Sequence, residues 1–191
     1  MVKKTMIILS KYKLRYNKIF LVKSITASYC PDCNVPLKYR DSCKRIWRVE
    51  GGERRTVQIF RMKCPKCKKL HRALPDFLAP FKHYGTSVIS RVIDGKLTPD
   101  NLSCEDYPTE QTMKGWKLWF MLNKARMEGY LKLFGSALPG FTDELQYTGA
   151  GLLQKLRSSN RGEGWLETTL EFIYNNGGFL VPVRCSRSCP S

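Results

Sequence analysis

The sequence predicts an α+β protein: an N-terminal β-rich zinc ribbon followed by an all-α, helix-turn-helix-like module. Three observations carry the prediction. Two C-P-x-C knuckles, Cys30-Pro31-Asp32-Cys33 and Cys64-Pro65-Lys66-Cys67, flank a thirty-residue stretch that reads as a β-hairpin. From His83 onward, helical spacing of apolar residues replaces runs of β-branched and aromatic residues. The charge changes at the same place: residues 1–72 hold 20 Lys and Arg against 4 Asp and Glu, whereas residues 73–191 hold 13 against 12. The organisation that follows is a basic β-rich module with the ribbon (1–72), a Pro-containing linker (73–82), a helical module with the helix-turn-helix (83–178) and a tail (179–191).

The elements are expected in this order. Thr5 to Leu9 and Lys18 to Ile25 read as strands, joined by a basic loop, Lys11-Tyr12-Lys13-Leu14-Arg15. Arg45 to Val49 and Thr56 to Met62 are strand-like, and the Gly51-Gly52 pair between them can take the positive φ that a hairpin turn needs. Val88, Ile89, Val92 and Ile93 fall at helical spacing within Tyr84 to Asp94, with Gly95 just past the end. Thr98 before Pro99 reads as a helix N-cap, and Thr109 as another, opening a helix to about Lys132. Further helices are expected at Thr142 to Arg157 and Glu163 to Tyr174, the last stopped by Asn175-Asn176-Gly177-Gly178.

Four thiolates delivered in pairs from tight turns suit tetrahedral Zn²⁺ in a closed, structural shell. Cys30, Cys33, Cys64 and Cys67 are therefore the expected ligands. C-P-x-C also occurs in thiol redox sites, but that chemistry needs one motif at a helix start, and here two stand among strands. His71 is an alternative ligand, though four sulfurs already fill the shell. Cys43 and Cys104 read as ordinary small residues, and Cys185 and Cys189 as part of a free polar tail. Paired cysteines used for metal rather than disulfides fit a cytoplasmic location.

The net charge of +17 over 191 residues points to a polyanionic partner. The candidate contacts are Arg40, Arg45, Arg48, Arg54, Arg55, Arg61, Lys63, Lys68, Lys69 and Arg72 in the ribbon, interleaved with Tyr29, Tyr39, Trp47 and Phe60. Arg offers forked donors to phosphate and guanine edges, and Lys a point charge. In the second half, Met113, Trp116, Phe120 and Met127 mark the core side of a helix whose other face carries Thr112, Lys114 and Lys117, the division a recognition helix needs. No apolar run approaches the ~20 residues of a membrane span. There is no phosphate-binding Gly-rich loop, nucleophile elbow or convincing carboxylate set, and only two histidines, so neither catalysis nor a small-molecule substrate is expected.

The run Cys30-Pro-Asp-Cys, Leu37-Lys-Tyr-Arg-Asp-Ser, Arg61-Met-Lys-Cys-Pro-Lys-Cys and Leu70-His-Arg-Ala-Leu-Pro-Asp-Phe-Leu-Ala-Pro-Phe-Lys-His-Tyr resembles a family of short, largely uncharacterised bacterial proteins. They carry a domain of unknown function and are associated with transposons and other mobile elements. Similar zinc-binding, helix-turn-helix segments precede the catalytic domains of some insertion-sequence transposases. The resemblance spans about residues 28–120. It implies a non-catalytic DNA-binding role, carried by the four cysteines and the Thr112 to Trp116 helix, in a transposon-associated accessory or regulatory protein. Gly115 departs from the pattern, where a basic or bulky residue is expected. The alternatives are an adaptor that binds RNA or a protein such as a transposase, and an inert remnant of a transposase N-terminal region.

Overall fold

The computed structural model describes residues 4–100, 108–134, 151–158 and 164–182. Among them are six strands in one sheet and four helices. The sheet is organised by β5 (Arg54–Lys63). Along one edge β5 pairs antiparallel with β4 (Lys38–Arg48) over its whole length, from Lys38 opposite Lys63 to Arg48 opposite Arg54. A strand has only two edges, so its remaining partners must share the other. There β3 (Ile19–Ser24) runs parallel at Val57 and Gln58, and β6 (Leu70–Pro75) runs antiparallel from Phe60 to Lys63. The sheet therefore divides at mid-β5 and curls into a half-barrel. β1 (Lys4–Leu9) extends one limb, parallel to β6, and β2 (Tyr12–Asn17) extends the other, antiparallel to β3.

The expected hairpin between the two knuckles is present and longer than its apolar pattern suggested. Its turn spans Val49 to Glu53, with Gly51 and Gly52 both near φ 80°. Two expectations need correction. The basic loop at Lys11–Arg15 lies mostly in β2; its side chains alternate no apolar set because both faces of this edge strand are largely solvated, and only pairing to β3 orders it. The Pro-containing stretch 73–82 is not an open spacer. Ala73, Leu74 and Pro75 end β6, and Leu78 and Ala79 are fully buried.

Four consecutive residues of β1, Met6 to Leu9, are buried, as expected of a strand covered on both faces. Its cover is α4 (Trp165–Asn175), whose Asn175 side chain accepts from Ile8 N at 2.8 Å and donates to Ile8 O at 2.9 Å. The side-chain amide completes the edge as a neighbouring peptide would. Asn123 does the same for Val181, at 2.8 and 3.1 Å. It lies on α2 (Glu110–Phe134), where Thr109 caps the first turn as expected, Oγ1 accepting from Thr112 N at 3.4 Å. α1 (Thr86–Ile93) ends at Asp94, followed by Gly95 at φ 73°. Asp94 then receives Arg157 of α3 (Leu152–Ser158) and the indole N–H of Trp165, tying three helices at one carboxylate.

Met113, Trp116, Phe120 and Met127 are buried as expected, and the apolar core is continuous from β1 and β5 through α1 and α2 to α4. α1 and α2 are joined by residues 94–109, where a helix-turn-helix has a turn of three or four residues. Pro99 and Asp100 form a turn; the rest of the expected Thr98-capped helix, Cys104, residues 142–150 of the helix expected at Thr142 to Arg157, Cys185 and Cys189 lie outside the described residues.

Glu167 of α4 has one carboxylate oxygen buried without a hydrogen-bond partner among the described residues. Burial pushes its carboxyl up, and the nearby Asp76 charge adds to the shift against an opposing bond from Thr86. A carboxyl raised in the folded state supports folding below its unfolded pKa, and that support is lost as pH rises through the folded value. Glu167→Gln keeps the shape without the charge. It is expected to gain about 1 kcal/mol at pH 7, with the gain shrinking toward pH 4. Thermal melts at the two pH values check this; equal gains at both contradict it.

Candidate metal centre and nucleic-acid interface

The two knuckles fold alike because their local chemistry is alike. In the first, Cys30 N–H donates to Val35 O at 2.9 Å and Asn34 N–H to Cys30 O at 2.8 Å. In the second, Cys64 N–H donates to Lys69 O at 3.0 Å and Lys68 N–H to Cys64 O at 3.1 Å. The residue after each second cysteine takes the left-handed conformation, Asn34 at φ 50° and Lys68 at φ 61°. Each proline starts the turn, and both thiols of each knuckle end on one side.

All four sulfurs lie within 4.8 Å of one another. Cys30 and Cys67 Sγ are 3.8 Å apart, and a tetrahedral site with metal–sulfur bonds of about 2.3 Å has edges of about 3.8 Å. Cys30 and Cys64 are buried, while Cys33 and Cys67 reach the surface. As free thiols two of them resist ionisation: burial pushes Cys30 up and Cys33 up to about 12. Burial also raises Cys64, but the backbone N–H of Cys67 and its neighbours overcome this and hold it near 7. A cation is what removes the remaining protons from such a set, so the cluster could hold a metal ion in a closed shell.

His71 is fully buried behind this cluster. Its Nε2 is 3.6 Å from Cys30 Sγ and its Nδ1 is 2.6 Å from the Thr5 hydroxyl. A thiolate accepts, so Nε2 carries the proton and Nδ1 accepts from Thr5. His71 thus holds a ligand in place and lies outside the set of four sulfurs. Its spacing from Cys67 was visible in the sequence; its link through Thr5 to β1 was not, because β1 precedes the knuckles and pairs with β6 across more than sixty residues.

The basic candidates fall into three groups. Arg45 is structural: its Nη2 donates to Ala79 O at 2.7 Å and Lys82 O at 2.6 Å, and burial beside Arg72 pulls the guanidinium down to about 10. Arg72 has its Nε buried. A second group is paired with acids: Arg55 with Glu53, Arg61 with Asp41, Lys69 with Asp32 and Lys114 with Glu110. The third group includes exposed Arg54, Lys63, Lys68 and Lys117, while Arg40, also exposed, lies 3.8 Å from Asp41. Arg48 lies over the Tyr84 ring, and the Thr112 hydroxyl is 2.9 Å from that of Thr109. The ribbon candidates do not form one patch. Arg48, Arg54 and Arg55 sit at the hairpin tip, and Arg40, Arg61, Lys63, Lys68 and Lys69 at the knuckle end. Nine residues of β5 place the ends roughly 30 Å apart.

The structure does bring Arg48 and Thr112 together. Both line a cavity of about 460 Å³ between the β4 edge and the first turns of α2, together with Lys82, His83 and Gly115. His83 is held below its usual pKa by partial burial and by Arg45 and Arg48. The outer face of α2 that carries Lys114 and Lys117 also exposes Leu118, Met121 and Leu122.

Residues 30–116 match a family described as a domain of unknown function, DUF6431. The match spans both knuckles, the sheet from β4 to β6, α1 and the start of α2. No curated protein and no solved structure matches the chain. No described helix is long and apolar enough to cross a membrane.

Because His71 orients Cys30 without supplying a bond to the ion, His71→Ala is expected to keep the four sulfurs but weaken metal retention roughly 10- to 100-fold. Competition against a chromophoric chelator measures this. Retention equal to that of the unaltered chain would remove His71 from the site.

Proposed function

We propose that the chain is a non-catalytic DNA-binding protein whose ribbon is closed by Zn²⁺ on Cys30, Cys33, Cys64 and Cys67. Zinc is favoured because an all-sulfur tetrahedron with no open position suits it and offers no ligand preferred by harder ions. The observation that carries the DNA reading is the balance of charge. All four acidic residues of the first 72 are engaged in ion pairs, with Arg61, Lys69, Arg91 and Arg55. Cations of the surplus such as Arg54, Lys63 and Lys68 are exposed at the two ends of the hairpin, where a phosphate backbone would supply counter-charge. Arg48, Arg54, Lys63, Lys68 and Lys117 are the contacts this reading uses first.

A role as a transposon-associated accessory or regulatory protein rests on the resemblance of residues 28–120, and finding a transposase reading frame beside the gene would support it. Leu118, Met121 and Leu122 favour a second use of α2, as a docking face for a protein partner such as a transposase. In that case the helix does not read bases, and the helix-turn-helix reading of α1 and α2 falls with it.

The test is a binding titration on labelled duplex DNA, single-stranded DNA and RNA across a salt series. With about six phosphate contacts, affinity is expected to fall roughly a thousandfold between 50 and 200 mM salt. Arg54→Ala and Lys63→Ala are expected to weaken all sequences alike and flatten the slope by about one unit each. Absence of binding, or binding indifferent to salt, overturns the reading. Elemental analysis of the same protein is expected to give one zinc per chain.

A further inference from the structure

Phe81 is 63% exposed at φ 61°. The surrounding turn makes this unusual. Lys82 N–H donates to Ala79 O at 3.3 Å, so Ala79 to Lys82 is a β-turn with Pro80 at its second position. Proline there together with positive φ at the third position defines a type II turn, whose third residue is ordinarily glycine. The chain instead places a large aromatic in a conformation that costs on the order of 1 kcal/mol or more, and leaves its ring largely in water. The turn is also rigid: the Arg45 guanidinium binds the carbonyls of both its end residues, Ala79 and Lys82. Nothing in the packing of Ala79 or Leu78, both fully buried, requires an aromatic at the next position but one.

Phe81 stands between two cavities and lines both. On one side is the 460 Å³ groove with Arg48, Lys82, His83, Thr109 and Thr112. Its charged groups are cationic, and Gly115 is among its lining residues. On the other side is a cavity of about 370 Å³ whose apolar walls include Met6, Tyr174, Phe179 and Leu180, and which is bordered at the knuckles by Thr5 and the Asp32–Lys69 ion pair. A cationic, hydroxyl-lined slot, an exposed ring and a largely apolar recess, in that order, match successive parts of a dinucleotide step in a single strand: phosphate, stacked base, neighbouring base. Duplex DNA offers the phosphate but keeps its base faces stacked on one another.

We propose that Phe81 is a base-stacking platform, and that the groove beside it takes a phosphate of a single-stranded nucleic acid. The proposal rests on the nucleic-acid reading above and gives that reading a strand preference. Sequence selectivity is not expected from it, because every base has a face to stack.

The experiment uses the full chain and three fluorescein-labelled probes at one salt concentration: oligo-dT of twelve nucleotides, oligo-rU of the same length and a blunt twelve-base-pair duplex. Phe81→Ala and Phe81→Gly are expected to weaken single-strand binding roughly tenfold and leave duplex binding within about twofold. Phe81→Trp is expected to restore it. Phe81→Gly relieves the backbone strain, so its melting temperature is expected to equal or exceed that of the unaltered chain; this separates a lost ligand contact from a lost structural one. Parallel losses on dT and rU assign the site to either strand chemistry, and a loss on one alone assigns it to DNA or RNA. If the variants bind single strands as the unaltered chain does, the platform is overturned while the DNA reading stands. If the unaltered chain binds none of the three probes, both fall.

Discussion

The four-sulfur cluster is the constraint on which the sheet depends. The first knuckle closes at Cys33, and Pro36 and Leu37 lead from it into β4. Cys64 follows β5 directly, and two residues separate Cys67 from the start of β6. One ion would therefore close the start of β4, the end of β5 and the start of β6 at a single point. This matters because the same 72 residues carry 20 cationic side chains against 4 anionic ones. Drawing such a chain into a compact sheet works against its own repulsion. A structural ion bound by thiolates opposes that with a binding free energy of about 10 kcal/mol or more, and two ionised thiolates beyond those balancing the ion add local negative charge. The ion pairs at Asp32, Asp41 and Glu53 act in the same direction, each holding a cation within the hairpin or its knuckles.

From that closed point the hairpin positions the rest. β4 fills one edge of β5, so β3 and β6 divide the other, and the sheet has to curl. The inner face of the curl carries Val57 and Ile59, and Arg45, cross-strand from Val57, reaches over to the 79–82 turn. The beginning of α1 is fixed by backbone bonds between the end of β4 and residues 83–85: Arg48 N–H to His83 O at 2.7 Å and Gly85 N–H to Arg48 O at 3.1 Å. Gly85 is needed there because a Cβ would come within 3.1 Å of the Trp47 indole nitrogen. Helices and sheet thus share the β4 edge, and the groove holding Arg48 and Thr112 arises at that junction.

The knuckles, the hairpin, the Gly51-Gly52 turn and the Thr109 cap were legible because each is decided by residues close in sequence. The chemistry of the metal site was legible for the same reason, since spacing alone places two thiols on each turn. β2 was not legible: its order comes from pairing with β3, and its side chains record no burial. The 73–82 segment misled because Pro75 and Pro80 look like spacer residues, whereas Pro75 ends a strand and Pro80 begins a turn, two positions where a missing N–H is harmless. The division of the arginines was hidden altogether. Arg45 and Arg61 sit two and eight residues from Trp47 and Glu53 in strands of the same alternation, and only the cross-strand register shows that both point to the inner face, toward carbonyls and Asp41.

That register also separates arginines that bind the chain itself from cations on the outer face of the hairpin. On the inner face of β4 and β5, opposite pairs run Asp41 with Arg61, Cys43 with Ile59, Arg45 with Val57 and Trp47 with Arg55. On the outer face they run Ser42 with Phe60, Lys44 with Gln58, Ile46 with Thr56 and Arg48 with Arg54. Three of the four inner pairs hold an arginine, and each of those guanidiniums meets a carboxylate or carbonyl of the chain itself. Lys44, Arg48 and Arg54 lie on the outer face, and Arg48 lines the groove with His83 and the first turn of α2. Arginine on the inner face suits its role, because a planar fork can satisfy two acceptors at once in a crowded site. A raw count of basic residues therefore overstates the binding surface. The outer set, with Phe81 at the rim of the groove, is the part of the +17 that the fold leaves facing outward near a shaped recess. Arg48 and Arg54 lie at the far end of the hairpin from the cysteines, whereas Phe81 also lines the cavity that reaches Asp32 and Lys69 at the knuckles.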